Sequence, residues 1–442
     1  MPIHRRHFLG AVAGLAAEQI PALGQTVSPN DKIHLALIGS GGQGFYDMRN
    51  ALSLGAAEIV AACDIYDGRL KRIREVFGDQ VFTTRDHREV LARKDVDAVI
   101  IATPDHWHSA ISIDAMNAGK DVYCEKPMVQ LLADGPGVVE TARRTGRIFQ
   151  VGSQRVSSII YAKTKELLNA GAIGELNTVE AWVDRNSALG AWQYTIAPDA
   201  SPANIDWDRF LGRAPKRPFE PIRLFRWRNY QDYGTGVPGD LFVHLISGLH
   251  FATDAVGPER VYSTGGLRFW KDGRDVPDVM IALYDYPARG RFPAFNVMFR
   301  VNLVDGASEN AGLRFIGSEG IMEVENTVTL SKVPRETEPG YTVDTFPKAL
   351  QDQYLKAYRE KYPQRPKVDT GQMSADEKFV PPKGYNDAID HHRVFQAAVR
   401  SRKPVTEDAL FGYRAAGPAL LSNLSYFERK VIRWDPEAMK LA

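Results

Sequence analysis

At 442 residues the chain is too long for one ordinary domain, so two are expected. An apolar fraction of 44% and a charged fraction of 25% are those of a soluble globular protein. The formal net charge of +1, from 55 basic and 54 acidic residues, provides no electrostatic attraction to nucleic acid or an anionic membrane, so neither is an expected partner.

The amino terminus, "HRRHFLGAVAGLAA", sets Arg5 and Arg6 before a short apolar stretch, Phe8 to Ala17. That stretch is too short to span a bilayer, and the small residues Ala22 and Gly24 offer a cleavage point before Gln25. The Arg-Arg-x-Phe-Leu pattern resembles a twin-arginine export signal over residues 1–24. The resemblance implies a bacterial protein exported to the periplasm already folded, with any cofactor inside. Such a route would also suit a chain without disulfides. Cys63 and Cys124 are the only cysteines, both lie in apolar strand-like runs, and both are expected to be buried free thiols.

From Lys32 onward strands and helices alternate at short intervals. "IHLALIG", "EIVAACD", "DAVIIAT" and "DVYCEKP" are near-continuous apolar runs, the pattern of parallel strands covered on both faces. Between them "FYDMRNALSLG", "RLKRIREVFG", "SAISIDAMNAG" and "DGPGVVETARRTG" have helical period, with glycine stops before the following strands. A last strand, "RIFQVGSQ", closes this half near Gln154. These repeats predict an α/β fold with an N-terminal doubly wound parallel sheet.

After Gln154 the texture changes. A helix over Ile159–Asn169 leads to the strand "LNTVEAWVD" and an irregular stretch rich in Trp, Pro and Arg at residues 186–238. One helix, Asp240–Ala255, follows, then the alternating runs "RVYSTGGLRFW", "DVMIALYDY", "AFNVMFRVN", "GLRFIGSEGIMEVE" and "TVTLSKV". This half reads as an α+β domain with a largely antiparallel open sheet. Residues 335–383 are polar and proline-bearing, an insertion or a partner-contacting arm, and two helices finish the chain. The division is 1–24 signal, 32–155 dinucleotide-binding domain and 156–442 substrate and oligomerisation domain.

"GSGGQG" places Gly39, Gly41 and Gly44 between the first strand and the first helix, with Gln43 among them. The glycines allow a tight turn and close backbone approach, while the helix N-terminus faces a pyrophosphate. Asp64 ends the second strand twenty residues after Gly44, where a carboxylate suits the two ribose hydroxyls of NAD. It would repel the 2′-phosphate of NADP, although Arg69, Lys71 and Arg72 close by keep NADP as the lesser alternative. "ATPDHWH" follows the fourth strand, where the sheet order reverses; Thr103 and Pro104 would line the nicotinamide side, with His108 one turn into the next helix. His106 reads as a solvated loop histidine. No metal ligand set is assigned.

"TPDHWHSAISIDAMNAGKDVYCEKP" resembles the signature of the Gfo/Idh/MocA oxidoreductases, the family of glucose–fructose oxidoreductase and inositol dehydrogenase. The family's Ala-Gly-Lys-x-Val-x-x-Glu-Lys-Pro is matched by Ala118–Pro127, over a resemblance covering residues 32–155 and, more loosely, the rest. It implies a Rossmann domain with Glu125 on the cofactor and Lys126 at the reacting carbon, and it carries the family's Pro and His onto Pro104 and His108. A second family motif, Asp-x-x-x-His, appears in "GDLFVHLISGLHF" as Asp240 and His244. Four residues apart on a helix, they share a face about 40° apart. The resemblance makes His244, oriented by Asp240, the acid/base working with Lys126. His250 points elsewhere, a core or capping residue. Family members often carry glycine two residues before this His, and Phe242 stands there, a bulk expected to alter packing close to the substrate.

The chemistry requires a base within hydrogen-bond reach of the hydroxyl that loses its proton as hydride leaves. Pro127 restricts the backbone of Lys126 and so fixes where its side chain leaves the strand. Arg155, Trp192, Tyr194 and Tyr233 are candidate substrate contacts, and Arg226 and Arg228, like Arg155, could bind hydroxyls or a carboxylate, although aromatics in this region can equally pack one sheet face. Together these features imply an NAD(P)-dependent oxidoreductase acting on the CH–OH group of a sugar, cyclitol or glycoside, and a homo-oligomer, dimer or tetramer. Outside the cytoplasm no soluble NAD pool is expected, which favours a tightly bound, recycled cofactor. Two other readings stay open. One is an NAD-dependent glycoside hydrolase working through a transient keto-sugar; the other is a non-catalytic NAD-binding sensor.

Overall fold

The apolar runs of the first half become six short strands: β1 (Ile33–Ile38), β2 (Ala57–Cys63), β3 (Phe82–Thr84), β4 (Ala98–Ile101), β5 (Asp121–Cys124) and β6 (Phe149–Val151). In this computed structural model, which describes residues 31–306, 309–332, 342–363 and 377–442, they form one parallel sheet in the order β3-β2-β1-β4-β5-β6. Leu35, Leu37, Val99 and Ile100 are wholly buried, as strands covered on both faces require. β3 was not expected: its three residues are only half-buried and leave no apolar run to read. The order reverses between β1 and β4, which opens a crevice at the carboxyl ends of those strands. The expected signal, residues 1–24, lies outside the described residues, as do parts of the polar 335–383 stretch.

The second half builds a ten-stranded sheet around β7 (Leu176–Asp184), β9 (Val279–Tyr286) and β10 (Phe295–Asn302). Its pairings are antiparallel except for β7 with β10. Burial alternates along β9: Met280, Ala282, Tyr284 and Tyr286 enter the core, while Ile281 and Leu283 face outward and are exposed. The inward face packs on the helix Val243–Thr253, whose Leu245, Ile246 and Leu249 are buried with Val297 and Phe299 of β10. Cys63 and Cys124 are buried free thiols.

The two halves share their cores. Helices Asp387–Ser401 and Ala409–Glu428, late in the chain, return to the first sheet. Phe395 and Ala398 join the core of Leu35 and Leu37, and Tyr413 and Ala416 join that of Val122 and Phe149. Gln396 Nε2 donates to the Ala51 carbonyl at 2.8 Å, and Gln150 Nε2 to that of His391 at 2.9 Å. The crevice above β1 and β4 is thereby held against the second half at a fixed orientation.

Candidate active site

The turn after β1 is shaped by its glycines. Gly39 adopts φ 95°, and a Cβ there would lie 2.5 Å from the Ala102 backbone at the end of β4. A Cβ on Gly44 would lie 2.1 Å from the Gly39 carbonyl oxygen, so helix Gly42–Ser53 approaches β1 only because that position is bare. A Cβ on Gly42 would meet nothing within 4 Å, so the backbone at the start of the helix borders open space. A cavity of about 530 Å³ begins there, lined by Gly39, Gly41, Gln43, Asp64, Thr103 and Pro104, and runs to Glu125 and Lys126.

A dinucleotide fits this donor set. Bare backbone at a helix start suits a pyrophosphate. Thr103 Oγ1 and Glu125 Oε1, both at the wall, are buried without a hydrogen-bond partner among the described residues, as groups awaiting a carboxamide would be. Asp64 is nearly enclosed and accepts from the Ser40 and Tyr66 amides at 2.8 and 3.0 Å, with Arg69 Nη1 at 3.4 Å. Its carboxylate is thus pinned at the end of β2 while still bordering the cavity.

At the inner end, Lys126 stands one residue beyond Glu125 and is joined to Pro127 by a cis peptide bond. Its Nζ donates to both the carbonyl oxygen and Oδ1 of Asp240, each at 2.9 Å. Arg228 Nε donates to the same Oδ1 at 3.0 Å. Burial alone would raise the Asp240 carboxyl, but the charges of Lys126 and Arg228 outweigh it and hold the group ionised far below the usual carboxylate range. Two of the three ammonium hydrogens of Lys126 are therefore engaged, and one is left for a ligand.

This corrects the expected pairing of Asp240 with His244. The segment Pro238–Phe242 is a π-helical turn rather than an α-helix, so four residues no longer bring two side chains onto one line. Asp240 swings to Lys126 and Arg228, and the imidazole of His244 makes no hydrogen bond to any described residue. His244 is half-buried and does not line the cavity. Burial first, then the positive charges of Lys126 and Arg155, push it well below its ordinary value, so the ring is neutral near pH 7.

Other expected site residues also sit differently. His108 borders the cavity, yet its Nδ1 faces the Pro127 carbonyl at 2.7 Å and its Nε2 the Thr103 carbonyl at 2.8 Å. A neutral ring carries one N–H, so it donates to one of these carbonyls and packs against the other, and only the ring edge remains for a ligand. Trp192 and Tyr233 have no exposed surface and belong to packed clusters, so neither can touch a substrate. Arg155 pairs with Asp387 at 3.2 Å and lies away from the cavity wall, whereas Tyr194 lines it. Phe242 packs on Phe299, ring centres 5.1 Å apart, and faces the sheet core rather than the cleft. His106 is buried, with Nε2 facing the Phe210 carbonyl at 2.8 Å, not solvated. His250 is a core residue paired with the Tyr286 hydroxyl at 3.0 Å.

Two features escaped the sequence reading. Asp105, read only as part of the loop, is fully enclosed, accepts from the Thr235 hydroxyl at 2.7 Å, and is pushed up to about 7 by burial and by Asp240. Arg228, expected as a possible carboxylate or hydroxyl contact, shares the Asp240 carboxylate with Lys126. The irregular 186–238 stretch contributes Leu189, Phe210, Leu224, Phe225 and Trp227 to the cavity wall. It is fastened across the β2 end: Tyr66 pairs with Ile205, the Asp67 amide donates to the Asn204 carbonyl at 3.0 Å, and the Asp206 amide donates to that of Ile65 at 2.9 Å. Its length and aromatic content were the available signal, but a loop of irregular pattern does not say where it folds back.

The buried titratable groups set a pH dependence of stability. Burial holds His106 and His108 near 4 and His250, His391 and His392 near 3, below the ordinary 6.5. Each contributes stability that is present above 6.5 and lost as pH falls toward 4. Asp47, raised from 3.8 to about 8 by burial, and Asp105, raised to about 7, act in the opposite sense, losing their contribution as pH rises through those values. The histidines outnumber these acids, so the melting temperature is expected to peak at about pH 6–7 and to fall on either side. Scanning calorimetry from about pH 4.5 to 8.5 checks this, and a melting temperature still climbing at the alkaline end contradicts it.

Residues 33–153 match the Gfo/Idh/MocA family, described as an oxidoreductase family with an NAD-binding Rossmann fold. Over 128 residues the chain is 32% identical to inositol 2-dehydrogenase of Salmonella typhimurium (strain LT2), a stretch covering 29% of this chain and 38% of the relative. It is also 32% identical to glycosyl hydrolase family 109 protein 1 of Shewanella sp. (strain MR-4), covering 40% of this chain and 45% of that protein. The chain thus matches less than half the length of these curated relatives. Among solved structures, levoglucosan dehydrogenase in complex with NADH and levoglucosan superposes with a TM-score of 0.63 at 17% identity, over 91% of this chain and 99% of that one. The likeness extends the shared fold across both halves.

Proposed function

We propose that the chain is a nicotinamide-dependent oxidoreductase of the Gfo/Idh/MocA type, that it acts on a CH–OH group of a sugar, cyclitol or glycoside, and that it keeps its cofactor bound between turnovers. The observation that carries the reading is the enclosed Lys126–Asp240 ion pair at the inner end of the dinucleotide cleft, with one ammonium hydrogen unused. NAD is the expected cofactor, held by the Gly39–Gly44 turn, Asp64, Thr103 and Glu125. When bound, it supplies the two-electron acceptor or donor.

The protein's own residues handle the proton and the oxygen. Lys126 directs its remaining N–H at the reacting oxygen and stabilises the charge that develops there as the C–H bond breaks. Asp240 keeps Lys126 aimed, and Arg228 holds Asp240 from the other side. Neutral His244 lies near Lys126 but back from the cavity wall, so it takes up the proton released from the hydroxyl through an intervening water and returns it by the same route in the reverse direction. The 186–238 segment over the β2 end slows escape of the nucleotide. The exposed Ile281, Leu283 and Tyr262 on the outer sheet face favour a homo-oligomer.

The twin-arginine pattern at Arg5 and Arg6 supports an exported enzyme, which is consistent with a retained cofactor. Protein recovered from the periplasmic fraction is expected to carry one nicotinamide nucleotide in an undenatured mass spectrum. Nucleotide-free protein there, or protein confined to the cytoplasm, contradicts the retained or the exported part respectively. The glycosyl hydrolase relative favours one rival, a redox-neutral glycoside cleavage. Absorbance near ~340 nm separates the readings: lasting reduction by a sugar marks the oxidoreductase, aglycone release without net reduction marks the hydrolase, and silence marks a sensor.

A further inference from the structure

The inner end of the cleft holds more firm positive charge than negative. Lys126 and Arg228 share a single carboxylate, Asp240. Of the acids at the wall other than Asp64, which lies at the far end of the cleft just past β2, burial and the charge of Asp240 raise Asp105 to about 7, and burial together with Asp47 raises Glu125 well above its ordinary range. Oxidised nicotinamide would bring one further positive charge. A neutral substrate leaves this imbalance unanswered in an enclosed site, where charge is poorly screened.

Arg228 is also built to receive an anion. It lines the cavity, and its guanidinium is stacked 4.2 Å from the Trp227 ring centre. Only Nε is used, on Asp240; the two terminal nitrogens make no hydrogen bond to any described residue. The neighbouring arginines are otherwise engaged: Arg155 with Asp387, Arg226 with the Tyr194 carbonyl, and Arg185 with the Gly190 carbonyl. A planar fork fixed by a ring and an ion pair, with both terminal N–H groups open, is the donor set that pairs with a carboxylate.

We infer that the substrate of this site is an acidic sugar, of the uronate or aldonate class, and that Arg228 binds its carboxylate beside the reacting carbon at Lys126. The inference rests on the oxidoreductase reading for the role of Lys126, while the binding of the acid can be measured without turnover. Calorimetric titration of the holoprotein with glucuronate, galacturonate and gluconate, against glucose, galactose and myo-inositol, is the test. At least one acid is expected to bind on the order of 10- to 100-fold more tightly than its neutral counterpart, with the preference shrinking as salt is raised. Arg228→Gln should bring that ratio close to one. Arg228→Lys, which keeps a cation beside Asp240 but loses the fork, should retain only part of it and guards against a simple folding defect. Absence of any binding or preference for the acids, or a preference that survives Arg228→Gln, overturns the inference. Selective acid binding with no change near ~340 nm upholds the inference and sinks the oxidoreductase reading. Reduction by neutral sugars as readily as by acids does the reverse.

Discussion

Replacing Lys126 by alanine is expected to lower turnover by more than ~100-fold while leaving the protein folded and loaded with nucleotide. The loss follows from geometry: Lys126 is the cleft-lining ammonium, and its unused N–H is the donor assigned to the reacting oxygen. The fold survives because Asp240 keeps its second partner, Arg228, at 3.0 Å, so the buried carboxylate is never left alone. The readout is absorbance near ~340 nm under single-turnover conditions, with bound nucleotide quantified by mass spectrometry. Turnover within tenfold of the parent would remove Lys126 from the chemistry.

Asp240→Ala should behave differently, failing in both activity and stability. Asp240 is the shared counter-ion of two cations, and all three side chains are largely shielded from water. Removing one partner of a buried pair typically costs about 3–5 kcal/mol, because the remaining charge is left uncompensated. Here two like charges would face each other. A loss of stability of that order is expected in denaturant titration, together with loss of turnover as Lys126 loses its aim. If the unfolding midpoint of Asp240→Ala matched that of the parent, the ion-pair account of this cluster would fall. The contrast between the two variants separates a residue that acts on substrate from one that positions it.

Much of this arrangement could be read from the residues in order. The apolar runs at residues 33–38, 57–63, 98–101 and 121–124 became parallel strands because such strands are buried on both faces and leave no polar alternation. The glycine turn and Asp64 followed from local backbone demands, and Glu125–Lys126 from their place at the end of β5. The strands of the second half were legible by alternation, as the inward Met280, Ala282 and Tyr284 against the outward Ile281 and Leu283 illustrate. The short β3 was not, since three half-buried residues carry no pattern.

The sequence by itself determined which groups exist and which strand ends or turns deliver them: a bare glycine cradle, a carboxylate at the end of β2, and a lysine at the end of β5. These depend on dihedral freedom and on periodic burial, which are local properties. Only the tertiary structure decided who pairs with whom. Asp240 bonds Lys126, 114 positions away, and not His244, because a π turn rotates its side chain and two buried cations attract it more strongly. Trp192 and Tyr233 became core, Arg228 became a free fork, and the 186–238 segment came to lie over the nucleotide end. Each outcome reflects a balance of charge and burial among residues distant in the chain, and such a balance exists only once the chain has folded.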